Sequence, residues 1–511
     1  MPGQVSVLDF GGQYGHLIAR RMRELGYQVY HYPVDRMNRE ALQQAVSESR
    51  AVILSGGPLS VWQEAHDHVA ELAVRSGKPA LGICYGHQLL AKVLGGEVGP
   101  SPRPEFGRTE LEILESDPLF QGMSKRLMVW MSHNDAVLKP PPGARVLARS
   151  PGSPVAAMRL GMVYGVQWHP EVHHTEHGRT LLGNWAFLAG LEKTWTIDRV
   201  LELVLGDLRE QVKGLEGRTV LSAVSGGVDS TVATVLVARH APVRLVPVMI
   251  EHGLHPEGWV EESVGLLASA GIRVWVIDAS DRFLDALRGV VDPEEKRRVI
   301  AGLYFEVLRE EMDRHGAEGL VQGTIYPDII ESGAMPGADR IKTHHNVALR
   351  SLPGGGRIIE PLRWLYKDEV RRLGRLLGVP ERLLSRQPVP GPGLAVRVEG
   401  EVTRDSLEVL RRADRIVREE LERRGLHRGL WQYFAVLTRS RATGVKGDRR
   451  AYGYVVVVRA VESMDAMTAS PARLPWEALE AIAGRITGEI AGVTRVVYDI
   501  TTKPPATIEW E

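Results

Sequence analysis

Near the start of this chain, short apolar runs end on a turn of small residues and pass directly into helical sequence. VSVLDF precedes GGQYGHLIARRMRELG, AVIL precedes SGGP, and PALGI precedes CYGHQLLAKVLGG. A strand that is apolar throughout has both faces buried, and strands joined through helices pair parallel. This rhythm therefore predicts a doubly wound α/β sheet. Charged helical sequence interrupts it around residues 188 to 216, after which RTVLSAV, SGGVDS and TVATVLVARHA open a second series. Further strands are expected at VRLVPVMIE, RVWVIDA and GLVQGT. RQPVPGPGLAVRV then holds too much proline and glycine for helix or central strand. Beyond it the patterns predict a long charged helix near 403–425, strands at WQYFAVL and AYGYVVVVRAV, a helix near 476–490 and a strand at TRVVYDI. The expected class is α/β: two doubly wound, mostly parallel-sheet domains, 1–188 and 189–386, followed by a smaller α+β domain, 387–511. A length of 511 residues exceeds what one hydrophobic core organises, which agrees with several domains.

Charge narrows the partners. Lys plus Arg number 63 and so do Asp plus Glu, and this neutral balance predicts neither a nucleic-acid nor a membrane partner. The start, MPGQVSVLDFGGQYG, lacks the pattern of a signal peptide. No apolar run approaches the roughly 20 residues of a membrane span. A single cysteine excludes an internal disulfide and suits a reducing compartment, so a cytoplasmic protein is expected.

That cysteine, Cys84, falls between the strand PALGI and the helix YGHQLLAKVL. Its sulfur would stand at the carboxyl end of the sheet, where open α/β sheets place their sites. A helix N-terminus favours thiolates and leaves N–H groups free for a developing oxyanion. G-x-C-x-G also has the form of a nucleophile elbow, whereas a lone buried cysteine without flanking glycines would be a small core residue. A nucleophile needs a base and a group to orient that base. VYGVQWHPEVHH offers His169 and Glu171, which alternation along extended chain would send to one side. His169, His173, His174 and His177 also allow a zinc reading, against which Pro170 disfavours a continuous helix.

Together GICYGHQ, LSGGP with Gly56 and Gly57, and WHPE resemble the class I glutamine amidotransferases. The resemblance implies that Cys84 attacks the amide of glutamine, that His169 held by Glu171 moves the protons, and that Gly57 and Tyr85 form the oxyanion hole. It also implies that Gln88 contacts glutamine; otherwise Gln88 is an ordinary exposed helix residue.

SGGVDS follows an apolar run and precedes a helix, the arrangement of a phosphate cradle, and no G-x-x-x-x-G-K-[ST] occurs. The loop resembles the pyrophosphate-binding loop of the N-type ATP pyrophosphatases, which implies that Ser225, Gly226, Gly227, Val228, Asp229 and Ser230 bind ATP. Lys367 is expected to reach a phosphate, and Asp229 to meet the pyrophosphate through Mg²⁺. QGTIYPDIIES, IKTHHNV, EPLRWLYKDEVRRLG, PGPGLAVR, GVKGDRRAY and the terminal VVYDITTKPPATIEWE resemble the glutamine-hydrolysing GMP synthases, essentially from end to end. The implied partners are glutamine, ATP and xanthosine 5′-monophosphate (XMP), with Arg297, Gln432, Lys503 and Glu509 meeting XMP. The resemblance also implies a homodimer through the last domain, where VVVVRAV looks too apolar to stay exposed. EHGLHP stands where that family usually has D-N-G-L-L-R, and RQPVPGPGL where it has R-H-P-F-P-G-P-G-L, which bears on adenine contacts and the domain junction. Other glutamine-dependent ATP-pyrophosphatase amidotransferases, or a nucleotide-binding regulatory protein of glutaminase type, are the competing readings.

Overall fold

The computed structural model describes residues 4–63, 66–331, 356–463, 466 and 468–511; IKTHHNV (341–347) lies outside the described residues. Contacts divide the described chain into two compact units, one through Val200 and one from Leu201 onward.

The first unit is built on a nine-stranded sheet. Strands Val29–Pro33, Val5–Asp9, Ala51–Leu54, Ala80–Ile83 and Val163–Val166 lie parallel in that order. Consecutive residues supply opposite faces: Val7 and Ile53 join one buried cluster with Ile18, Met22 and Trp185, while Leu8 and Leu54 join another with Leu89 and Leu90. Helices cover both faces, as the unbroken apolar runs require. The remaining strands, Ala157–Leu160, Arg145–Arg149, Glu97–Ile113 and Arg126–Lys139, add antiparallel. The sequence reading contains no such extension. Glu97–Ile113 carries Pro100, Pro102 and Pro104, which argue against a strand. The structure accommodates them through a register shift between Pro100 and Glu105.

The second unit carries five parallel strands in the order Trp275–Asp278, Arg244–Glu251, Thr219–Ala223, Gly319–Val321 and Arg357–Ile359. It also holds a smaller sheet, in which Gln432–Lys446 and Ser470–Pro471 lie antiparallel to Arg449–Glu462 and Val493–Tyr498 lies parallel to it. One hydrophobic cluster serves both sheets, joining Leu221, Ile250 and Leu320 to Leu410, Val417, Val456 and Ile482. Helix Arg404–Arg423 supplies the link. Leu407, Leu410, Ala413, Val417 and Leu421 recur at helical spacing on its buried face, and Thr403 caps it by accepting from the Ser406 amide. The α/β class is the one the sequence patterns predict.

Strand Arg449–Glu462 does not leave its central valines exposed. Val456, Val457 and Val458 are buried inside this chain, packed on one side by the shared core and on the other by Phe434, Val436 and Ile508. An exposed apolar strand therefore gives no reason for a dimer. Among the described residues, no helix is long and apolar enough to cross a membrane.

His87, in helix Tyr85–Val93, is fully buried and donates Nε2–H to the Val155 carbonyl at 2.9 Å. Burial pushes its pKa down to about 4, against the smaller upward pull of that bond. The unfolded chain protonates this histidine near 6.5 and the folded chain does not, so stability is full above 6.5 and falls as pH drops toward 4. Urea unfolding between pH 7.5 and 5 should show a loss of about 2 kcal/mol from this group alone. His87→Gln, which keeps a donor for Val155, should flatten the profile by that amount.

Candidate functional site

Cys84 occupies a backbone conformation that side chains rarely adopt, with φ at +53° between strand Ala80–Ile83 and helix Tyr85–Val93. Its two glycine neighbours permit the corner. A Cβ on Gly86 would lie 2.3 Å from the Leu54 carbonyl oxygen, and one on Gly82 would lie 2.5 Å from that of Gly86. The Cys84 amide donates to Val166 at 2.8 Å, which fixes the elbow to the neighbouring strand. Its thiol donates to the Ser132 carbonyl at 3.5 Å, and it lies beside His169, since a Cβ on Gly56 would be 3.6 Å from Cys84 Cβ and 2.9 Å from His169 Cε1. His169 Nδ1 sits 2.7 Å from Glu171 Oε1, and the Glu171 side chain is fully buried.

This meeting does not come from strand alternation. His169 to Glu171 forms a turn after strand Val163–Val166, and the Thr175 hydroxyl closes it by donating to the His169 carbonyl at 2.7 Å. Tyr14 approaches the imidazole edge-on with ring centres 5.0 Å apart. Burial alone would discharge the imidazole; Glu171 and Cys84 together overcome it and hold the His169 pKa well above its ordinary value.

Gly56 and Gly57 border the same space. A Cβ on Gly56 would be 2.9 Å from His169 Cε1, and one on Gly57 would be 3.0 Å from the Tyr85 ring. Among the described residues, neither the Gly57 nor the Tyr85 amide donates to a backbone carbonyl outside helices and strands. Gln88 is buried rather than exposed, donating to the Asp135 carbonyl at 2.7 Å and to Gln167 at 3.2 Å. The zinc reading finds no geometry here. Among the described residues, the three-ligand group that comes together is Glu251, His252 and His255, not the histidines at 169–177.

In the second unit, SGGVDS lies between strand Thr219–Ala223 and helix Val228–His240, where the strand order reverses between Arg244–Glu251 and Gly319–Val321. Crevices at such reversals hold the ligands of open α/β sheets. The hydroxyls of Ser225 and Ser230 are 3.0 Å apart, and Ser230 Oγ accepts from the Ser225 amide at 3.1 Å. A Cβ on Gly323, just past strand Gly319–Val321, would lie 2.5 Å from the Ser230 amide nitrogen. Lys367, at the start of helix Lys367–Leu376, places its ammonium 2.5 Å from Asp229 Oδ2. The other Asp229 oxygen, Oδ1, is buried without a hydrogen-bond partner.

The four residues expected at XMP divide into groups. Gln432 Nε2 donates to Glu509 at 2.7 Å and to the Pro388 carbonyl at 2.8 Å. Arg297, in the second turn of helix Pro293–His315, bonds Glu294 and the backbone carbonyl of Glu511. Lys503 donates to the Ala466 carbonyl at 2.7 Å.

Comparison with known proteins settles the family. Residues 6–189 match the family Glutamine amidotransferase class-I, and residues 419–510 match GMP synthase C terminal domain. A glutamine-hydrolysing GMP synthase of Aeropyrum pernix is 61% identical over 100% of this chain and 99% of its own length. Those of Pyrobaculum aerophilum and Aquifex aeolicus are 49% and 45% identical, each over 99% of both chains. The chain belongs to the glutamine-hydrolysing GMP synthase family.

Within this member of the GMP synthase family, the structure adds residues that sequence reasoning missed. Arg397 is fully buried, grips Glu509 with two bonds of 2.8 and 2.9 Å, and stacks 3.9 Å above the Phe434 ring. It lies in the quoted PGPGLAVR, but nothing local to that motif announces a partner 112 residues away. EHGLHP turns out to bury His252 and His255 as a ring stack, centres 3.8 Å apart. His252 Nδ1 already accepts from the Leu254 amide, and Arg411 donates to the Gly253 and His255 carbonyls. A cation placed at this trio would meet that guanidinium.

Glu171→Gln tests the charge on His169. Because the folded value is raised above the unfolded one, the histidine adds stability below about 6.5 that disappears as pH rises through the folded value. The amide removes the counter-charge, so the stability gap between parent and variant should widen as pH falls from 8 to 6. Glutamine hydrolysis should drop by about 10² to 10⁴-fold. NMR titration of the imidazole would read the shift directly.

Proposed function

We propose that this chain makes GMP from XMP, taking nitrogen from glutamine and activating the purine with ATP. One observation carries the reading: a single chain holds both an elbow cysteine beside a carboxylate-held imidazole and a serine-glycine loop at the reversal point of a second sheet.

In the first unit, the Cys84 sulfur attacks the side-chain amide carbon of glutamine as a thiolate, its proton already resting on His169, whose raised pKa keeps the imidazole charged. The oxyanion meets the amides of Gly57 and Tyr85, preorganised at a helix start. His169 returns the proton to the departing nitrogen, leaving a thioester and free ammonia. Water activated by the same imidazole then releases glutamate. Glu171 keeps Nδ1 protonated and the ring oriented, and Gln88, held by Gln167 and Asp135, borders the glutamine.

In the second unit, the XMP oxygen at C2 attacks the α-phosphorus of ATP, and pyrophosphate leaves. Ammonia then adds at C2 and AMP departs with that oxygen, giving GMP. Helix amides and the Ser225 and Ser230 hydroxyls cradle the pyrophosphate, and Lys367 adds positive charge. Mg²⁺, when bound, neutralises the pyrophosphate, and the unpartnered Oδ1 of Asp229 is the oxygen suited to hold it. Glu509, held by Arg397, offers carboxylate oxygens to xanthine N–H groups beside Gln432; Arg297 and Lys503 supply cations for the acidic purine and its phosphate. Gln432 has already given both amide hydrogens to protein acceptors, so its carbonyl is the atom left for a ligand. A homodimer through the C-terminal domain and a cytosolic setting complete the reading, supported by family resemblance and by a nucleophilic thiol's need for reducing conditions.

Cys84→Ala should abolish synthesis from glutamine and leave synthesis from added ammonium salt within about twofold of the parent. Loss of both activities would assign Cys84 to folding or to the ATP site.

A further inference from the structure

The loop that cradles phosphate in this reading has its carbonyls held from behind. Trp259 Nε1–H donates to the Ser225 carbonyl at 2.9 Å. Arg386 donates to the Gly226 carbonyl at 2.9 Å and to Ser263 Oγ at 2.6 Å. Its guanidinium lies 4.3 Å above the Trp259 ring and 2.7 Å from Glu262. Trp259, Glu262 and Ser263 all belong to helix Trp259–Ser269, so one helix face and one stacked arginine take two successive loop carbonyls.

Peptide planarity turns this into a statement about the other side of the loop. In a trans peptide the C=O and the following N–H point in opposite directions. With the Ser225 and Gly226 carbonyls drawn toward helix Trp259–Ser269, the N–H groups of Gly226 and Gly227 must face away from it, that of Gly227 meeting the Ser225 hydroxyl at 3.3 Å. That is the orientation of an anion nest continuing into the N-terminus of helix Val228–His240. A flip of either peptide would present a carbonyl to the phosphate. Gly226 has φ +76°, and a Cβ there would fall 2.4 Å from Ser263 Oγ and 2.8 Å from Trp259 Nε1, so the clip also requires glycine.

We propose that Trp259 and Arg386 are positioning residues that hold the Ser225–Gly227 peptides with N–H groups facing the pyrophosphate of ATP. Neither touches the nucleotide; both act through the loop. The inference rests on the assignment of SGGVDS to ATP binding. Trp259 falls just past EHGLHP, the stretch that departs from the usual D-N-G-L-L-R, and no glycine-rich or charged signal marks it in the sequence.

The test uses the full chain with magnesium pyrophosphate as probe, read by calorimetry beside steady-state kinetics of ammonia-driven synthesis. Trp259→Phe keeps a ring for Arg386 to stack on and removes the donor. It should weaken pyrophosphate binding about tenfold and raise KM for ATP similarly, with kcat at saturating ATP and Tm held. Arg386→Lys keeps the charge facing Glu262 but loses the planar fork; it should act in the same direction, and the double variant should fall short of the product of the two effects. Unchanged pyrophosphate affinity in both variants, with the parent binding well, overturns the clip and leaves the ATP loop standing. Weakening accompanied by an equal fall in kcat and a lowered Tm in both also overturns it, because that marks general loss of structure. No pyrophosphate binding by the parent overturns the loop assignment and the clip with it. Should Trp259→Phe fail to fold, Arg386→Lys decides by the same criteria.

Discussion

Both candidate sites depend on bringing a helix N-terminus closer to neighbouring strand ends than side chains ordinarily permit. At the first, Gly86 sits where a Cβ would press 2.3 Å from the Leu54 carbonyl; at the second, Gly323 sits where one would press 2.5 Å from the Ser230 amide. This approach sets Cys84 at positive φ beside the imidazole, and it places Ser230 against the strand reversal. The glycines act by what they omit. Larger residues there would move the helix, and with it the N–H groups that a developing oxyanion or a phosphate needs.

Charge inside the second unit follows a complementary rule, with buried cations ordering the C-terminal segment. Arg397 grips Glu509, and Arg459 donates to the Ile508 and Thr507 carbonyls while pairing with Asp499. Lys296, fully buried, bonds the Val398 carbonyl and the Glu511 carboxylate. A buried charge persists only when paired and hydrogen-bonded, and each of these is. These bonds, with the buried Ile508, tie the last residues of the chain to this unit, so residues as far apart as Gln432 and Glu509 share one corner.

How much of this could be read from the sequence follows the range of the contacts. Strand-turn-helix units, the elbow at Cys84 and the SGGVDS loop are local patterns, and the structure has them where periodicity and small residues put them. His169 and Glu171 do meet, but by a turn closed by Thr175 rather than by strand alternation, since tertiary contacts set the local conformation. The antiparallel part of the first sheet stayed hidden because its prolines argue against strand and its pairing is non-local. Gln88 could be placed on a helix beside the nucleophile, but not its burial or its bonds to Gln167 and Asp135, which come from distant segments. Arg386, Arg397 and Trp259 had no signal at all; their partners lie from 34 to 160 residues away, beyond any spacing rule.

The central claim is that nitrogen freed at the Cys84 site is installed on a purine by chemistry at the SGGVDS loop. Supplying [amide-¹⁵N]glutamine with ATP, XMP and Mg²⁺ and following the nucleotide by mass spectrometry tests it most directly. GMP carrying ¹⁵N in its 2-amino group is expected, with one AMP and one pyrophosphate formed per GMP. Glutamate released with no label in the nucleotide, or ADP and phosphate in place of AMP and pyrophosphate, would contradict it.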